Sequence, residues 1–253
     1  MLAPTGALGI AAVESIRSSA RGFVWSWAAT TLLGQLLGIS VAFPLFWLPS
    51  FFLWTRAKVP SSTTPTNKTY GICATMMLVL LPVALVMLQL DKLPSVDAQN
   101  TALFIFQWGL PFSAILWNSV PRDRQPSQEA SQKAVQLLFT MLLGMCIAVH
   151  YAAIVDWVVS GGSWDELRGV VLRSEVRYMP AHFLLVDACV MTLSCLLFVL
   201  GDGGVGPAVG FMVQTLVVGP GAAVLWYGLK REQRLQTGQH GGASQASKVL
   251  KSE

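Results

Sequence analysis

Charged residues are scarce in this sequence. They make up 12% of its 253 residues, where a soluble domain usually carries about 25%. Hydrophobic residues reach 53% and gather in long runs, which argues for a membrane protein. The short alternating segments of a β-barrel are missing, so the expected fold is all-α, a polytopic transmembrane helix bundle. Reactive motifs are missing as well. There is no DDxxD-type aspartate cluster, DxDD, Walker, HExxH, GxSxG or haem motif. These absences argue against metal-dependent prenyl transfer and ATP-driven transport. The four cysteines, Cys73, Cys146, Cys189 and Cys195, lie inside apolar runs without metal or disulfide spacing. They read as packing residues, and no metal or cofactor is expected. No internal repeat is visible, which disfavours an inverted-repeat transporter.

The net charge is +4, and the basic residues fall between the apolar runs. That pattern is positive-inside topology, not a nucleic-acid surface. Residues 1–21 read as an N-terminal segment, because Glu14 ends its apolar run too early for a crossing. Gly22 to Trp54 contains no charge. A crossing takes about 20 residues, so one span is expected at 23–43. FPLFWLPSFFLW, with Pro44 and Pro49, would follow as a bent aromatic extension at the interface. Further spans are expected at 70–90, 101–120, 134–159, 181–200 and 208–229, making about six within a domain covering 22–229. The connector 160–180 is different in kind. Ser163 and Glu166 have capping-box spacing. Trp164, Leu167 and Val171 follow at helical intervals, opposite Arg168, Arg173 and Arg177. This predicts a short interfacial amphipathic helix. Residues 230–253 read as a disordered polar tail. Six spans place both termini on one side, with nine basic residues there against six opposite, so the termini are expected in the cytoplasm.

Asp187 stands out, because it lies inside the apolar run AHFLLVDACVMTLSCLLFVL. An ionisable residue within a membrane segment must face a partner or a wet cavity. Burial favours the neutral form of a carboxyl, and a neutral buried acid is a ready proton donor. The alternative is a carboxyl that merely hydrogen-bonds a neighbouring helix. Ser194, seven residues on, lies about 20° away around the helix. His150, in the fourth expected span, could accept a proton, orient an acid or bond across helices. Gln107, Trp108 and Trp157 are candidate cavity linings, the tryptophans because aromatic faces stabilise cations. The other tryptophans mostly read as an aromatic belt at span ends.

Three stretches carry a resemblance: FPLFWLPSFF (43–52), FIFQWGLPFSAILW (104–117) and VVGPGAAVLWYGLKRE (217–232). Over most of residues 23–235 the chain resembles the fungal membrane-bound terpene cyclases of meroterpenoid biosynthesis, the ascofuranone type. The resemblance implies an isomerase of secondary metabolism in the endoplasmic reticulum membrane. Its substrate would be a hydrophobic prenylated aromatic or polyketide, often epoxidised, and its partners that molecule and the lipid bilayer. A protonated carboxyl would open the epoxide or protonate an alkene, and a base would remove the last proton in a cavity that excludes water. On this expectation Asp187 is the acid, His150 its partner or base, and Trp108, Gln107, Trp157 and Ser194 line the substrate site. The competing expectation is a non-catalytic transporter or accessory protein, with Asp187 and His150 as a polar relay.

Overall fold

The computed structural model describes residues 2–55, 64–87, 93–118, 120–121, 127–172 and 179–249, though not every side chain within them. Among the described residues all regular structure is helical. Two helices among the described residues are long and apolar enough to cross a membrane, Gln128–Val159 and Ala181–Gly203.

Residues 1–21, read as an N-terminal segment outside the 22–229 domain, contain the first helix, α1 (Leu2–Ile16). Ala7, Ile10, Ala11, Ala12 and Val13 are buried, and α1 packs among helices from every later part of the chain. Small residues make this possible. A Cβ added to Gly6 would stand 2.4 Å from the Gly221 carbonyl oxygen, so the two backbones touch. Membrane helices commonly pack in this way, through small residues that let backbones approach.

The long uncharged run beginning at Gly22 is not a single crossing. A 3₁₀ turn (Gly22–Trp25) leads into α2 (Trp27–Leu37), capped by the Ser26 hydroxyl, which accepts from Ala29 N. The chain then reverses at Gly38, whose φ of 88° suits glycine. Ile39 to Thr55 returns as one helical rod of alternating character: α3 (Ile39–Ala42), a π turn (Phe43–Trp47), α4 (Leu48–Ser50) and a second π turn (Phe51–Thr55). The returning end lies beside the start, with the Trp54 ring against Gly22. The aromatic extension is therefore core rather than interface. Phe43, Trp47 and Phe51 recur every fourth residue and stack at 4.7 and 5.2 Å, with Phe198 edge-on to Trp47 and Phe51. All three are buried, while Leu45, Leu53 and Trp54 face outward.

Four long helices follow: α5 (Thr66–Met87), α6 (Val96–Asn118), α7 (Gln128–Val159) and α9 (Met179–Gly203). Between the last two lies α8 (Trp164–Leu172). Its capping box forms as spaced: Glu166 N donates to the Ser163 hydroxyl at 3.1 Å, and Ser163 N donates to Glu166 Oε2 at 3.4 Å. Trp164, Leu167 and Val171 are exposed, so among the described residues most of the apolar stripe of α8 is left open, with only Trp157 edge-on to Trp164. Arg168 is also exposed; Arg173 and Arg177 lie outside the described residues.

The expected sixth span is also a hairpin. α10 (Val205–Val218) ends at Gly219, φ 82°, and α11 (Pro220–Val249) returns alongside it. The reversal brings Tyr227 and Arg231 back to Asp202, at the root of the hairpin. The helix runs on to Val249, through the stretch that composition reads as disordered. α7 holds the tip of this hairpin. The Tyr151 hydroxyl donates to the Val217 carbonyl at 3.1 Å, and a Cβ on Gly219 would stand 2.9 Å from His150 Nδ1. Gly219→Ala should therefore cost about 1–3 kcal/mol through backbone strain, with further displacement of His150. A thermal-unfolding comparison checks this, with Gly210→Ala, which enters open space, as the unaffected control.

Candidate functional site: the Asp187 cavity

Asp187 is half-buried on α9 and opens on a cavity of about 340 Å³. Pro4, Thr5 and Leu8 of α1 form one wall, and Thr31, Gly34 and Gln35 of α2 another. Gly38 and Ile39 at the turn of the first hairpin, Leu80 of α5, and Phe183 and Leu184 of α9 complete it. The buried Ser40 hydroxyl donates to Asp187 Oδ1. The glycine reversal at 38 is what places Ser40 there, so the hairpin builds the site. Among the described residues, Asp187 is the only ionisable side chain lining this cavity, and Phe183 the only aromatic ring. Oδ1 accepts from Ser40, and among the described residues the second carboxyl oxygen has no hydrogen-bond donor.

The other expected site residues lie elsewhere. His150 sits against Gly219, with Tyr151 edge-on at 5.7 Å. Ser194 is buried and donates to the Val190 carbonyl of its own helix at 2.7 Å. It shares the face of Asp187 but stands about 10 Å further along. Trp157 packs on the turn after α7, against Gly162 and edge-on to Trp164 at 6.3 Å. Trp108 leans on Phe112, 6.2 Å between centroids, on α6. The side chain of Gln107 lies outside the described residues. Among the described residues, His150, Ser194, Trp157 and Trp108 do not line the Asp187 cavity, and no hydrogen bond joins Asp187 to His150. The cavity's remaining polar groups, Thr5, Thr31 and Gln35, carry no spacing signal in the sequence. His182 has a structural role, its Nδ1 donating to Val170 O at 2.9 Å and tying α9 to α8.

A second constellation escapes any motif search. At the end of the bundle where the hairpins begin, five charged side chains converge. Glu14 Oε1 accepts from Arg17 Nε and from an Arg231 terminal nitrogen, each at 2.7 Å. Arg17 also binds Glu232, and Arg231 Nε donates to Asp202 Oδ2 at 2.9 Å. The Tyr227 hydroxyl donates to the same Asp202 oxygen. Glu14, Arg17, Arg231 and Glu232 are each at most 4% exposed, so water does little to screen them. Burial alone would push Glu14 toward its neutral form, but Arg17 and Arg231 outweigh it and hold its pKa below the ordinary value. Burial likewise opposes the charge on Arg17 and Arg231, and the surrounding carboxylates overcome it. The cluster joins α1, α9 and α11. In the sequence its members are only charges at the ends of apolar runs, far apart along the chain.

Among the described residues, no three His, Cys, Asp or Glu side chains converge as a metal site would require. Comparison with protein-family models, with characterised proteins and with solved structures finds no match.

Proposed function

We propose that the chain is a multi-pass membrane protein that carries out acid-initiated, mass-neutral cyclisation of an apolar unsaturated substrate in the Asp187 cavity. The observation that carries the reading is a single carboxyl, bound on one oxygen by a hydroxyl, opening on a largely apolar space. The volume falls near the lower end of ordinary ligand pockets, about 300–1,000 Å³. In the proposed step the free Asp187 oxygen gives its proton to an epoxide oxygen or an alkene carbon. The resulting cation is attacked by an internal double bond or a hydroxyl oxygen, and the proton lost in ring closure returns to the carboxylate. Ser40 favours this step, since a hydrogen bond to the carboxylate form lowers the cost of losing the proton. Asp187 acts as both acid and final base, and His150 serves the fold at Gly219. The substrate class implied by the resemblance, a prenylated aromatic or polyketide epoxide, fits walls of this polarity.

The membrane part of the proposal rests on the outer surface. Phe183, Leu184, Val190, Leu193 and Leu197 of α9 are exposed, as are Val205, Val209, Met212, Val213 and Leu216 of α10. An apolar exterior of this extent suits lipid and not water. We place crossings at α5, α6, α7 and α9, each more than about 30 Å long, with the two hairpins entering from one end. Crossings and hairpins so arranged revise the charge count. Among the described residues from Arg17 to Arg234, seven lysines and arginines lie toward the hairpin end, Arg17, Arg21, Lys68, Lys133, Lys230, Arg231 and Arg234, and one, Arg168, at the other. The bias is stronger than six crossings give and supports a cytoplasmic hairpin end, with the ionic cluster on that side.

Membranes containing the protein, incubated with prenylated aromatic epoxides, should yield a product of unchanged mass and altered retention. Uptake of the substrate without isomerisation would replace the cyclase reading by the transporter.

A further inference from the structure

We infer that the groove between α10 and α11 is a docking site for the headgroup of an anionic phospholipid. The groove has a volume of about 510 Å³ and lies apart from the Asp187 cavity. Two cations line it, one helical turn apart on α11. Lys230 Nζ stands 5.6 Å from the Trp226 ring centroid, and the Arg234 guanidinium 5.3 Å from that of Tyr227. Both are exposed. Gln214 and Gln233 add amide groups, and among the described residues no carboxylate lines the groove. Asp202, on the other side of Tyr227, is engaged by Tyr227 and Arg231.

The rest of the groove is apolar. Pro207, Phe211 and Trp226 supply its floor, and the α10 wall is opened by Gly206 and Gly210, where an added Cβ would meet nothing within 4 Å. Immediately around α10 from those glycines, Val213 and Val217 are exposed. A ligand that fits therefore carries a negative charge at one end and apolar chains at the other. The site also lies at the end of the bundle with the larger share of lysine and arginine. On the proposed topology this is the cytoplasmic leaflet, where anionic lipids concentrate. This inference rests on the membrane reading.

The full chain, purified in neutral detergent, tests it by thermal unfolding in mixed micelles. Phosphatidylserine should raise the Tm by several degrees, while phosphatidylcholine and inorganic phosphate should leave it unchanged. The Lys230→Gln, Arg234→Gln double variant should lower the apparent affinity for phosphatidylserine roughly thirtyfold, from about fivefold per basic residue. Gly210→Leu keeps both charges and fills the groove, so it should lose the same response. An equal shift with phosphatidylcholine or with phosphate alone overturns the proposal, as does a response that survives in both variants. Carbonate extraction of membranes separates the two readings. A chain released by carbonate refutes the membrane reading and this site with it, whereas a retained chain without lipid preference refutes the site alone.

Discussion

Asp187→Asn is expected to reduce mass-neutral product formation by about 10²–10⁴-fold, the usual contribution of a positioned general acid. Asparagine keeps the size of the side chain and can still accept from the Ser40 hydroxyl, so the fold should be retained. What it removes is the transferable proton. An unfolding temperature close to wild type, measured on the same preparation, distinguishes lost chemistry from lost structure. Ser40→Ala should give a smaller loss, roughly tenfold, because it removes one hydrogen bond to the carboxylate form. His150→Ala separates this proposal from one in which Asp187 and His150 act together. It should lower stability through the contact with Gly219 and leave turnover per folded molecule intact. Full product formation by Asp187→Asn would refute the assignment of the acid. A matching loss in His150→Ala at unchanged stability would restore the pair.

The largest loss of stability is expected at Arg231. Its guanidinium holds Glu14 and Asp202 together and lies 5.6 Å from the Phe51 ring centroid. Arg231→Met keeps much of the volume and leaves buried carboxylates without their cation, a loss of about 3–5 kcal/mol where a buried pair is broken from one side. Lys133→Ala breaks an ion pair of similar length, 2.6 Å to Glu129, at the surface. It should leave the unfolding temperature close to wild type, because exposed pairs are screened. Thermal unfolding in detergent measures both. The cluster also predicts a pH dependence. Glu14 titrates below its ordinary 4.5 in the folded state. Its stabilisation is therefore complete above that value and is lost as pH falls toward the lower folded one. Wild type should lose stability on acidification below about pH 4.5, and Glu14→Gln should show a shallower fall there. Equal slopes would remove Glu14 from the account.

Local features of this fold are legible in residue order. The capping box at Ser163 and Glu166 forms as its spacing requires, because both partners lie within one helical turn and nothing distant competes. The long helices α5, α6, α7 and α9 follow the apolar runs that mark them. Asp187 is conspicuous because it is the one carboxylate well inside such a run. Direction is where the reading fails. Hydropathy measures how greasy a stretch is and not which way it travels, so Gly22–Trp54 and Ala208–Leu229 both look like crossings. Each is reversed by one glycine at positive φ, Gly38 and Gly219. The chain has 22 glycines. Which of them turn the backbone depends on what packs there: Ser40 and Asp187 at the first, His150 and Tyr151 at the second. Reversal also explains the tryptophans, since a belt is expected at span ends and Trp47 lies in the middle of a returning helix.

The sequence by itself determined the all-helical character, the apolar exterior and the isolation of Asp187, because each follows from composition or from residues a turn or two apart. Only the tertiary structure decided that α1 is packed within the bundle, that Ser40 meets Asp187 over a cavity, and that Glu14, Arg17, Asp202, Arg231 and Glu232 pair with one another in a largely buried cluster. Those pairings join residues up to 217 positions apart. No local pattern encodes such a distance. The hairpins close it, and burial then makes the charges choose one another.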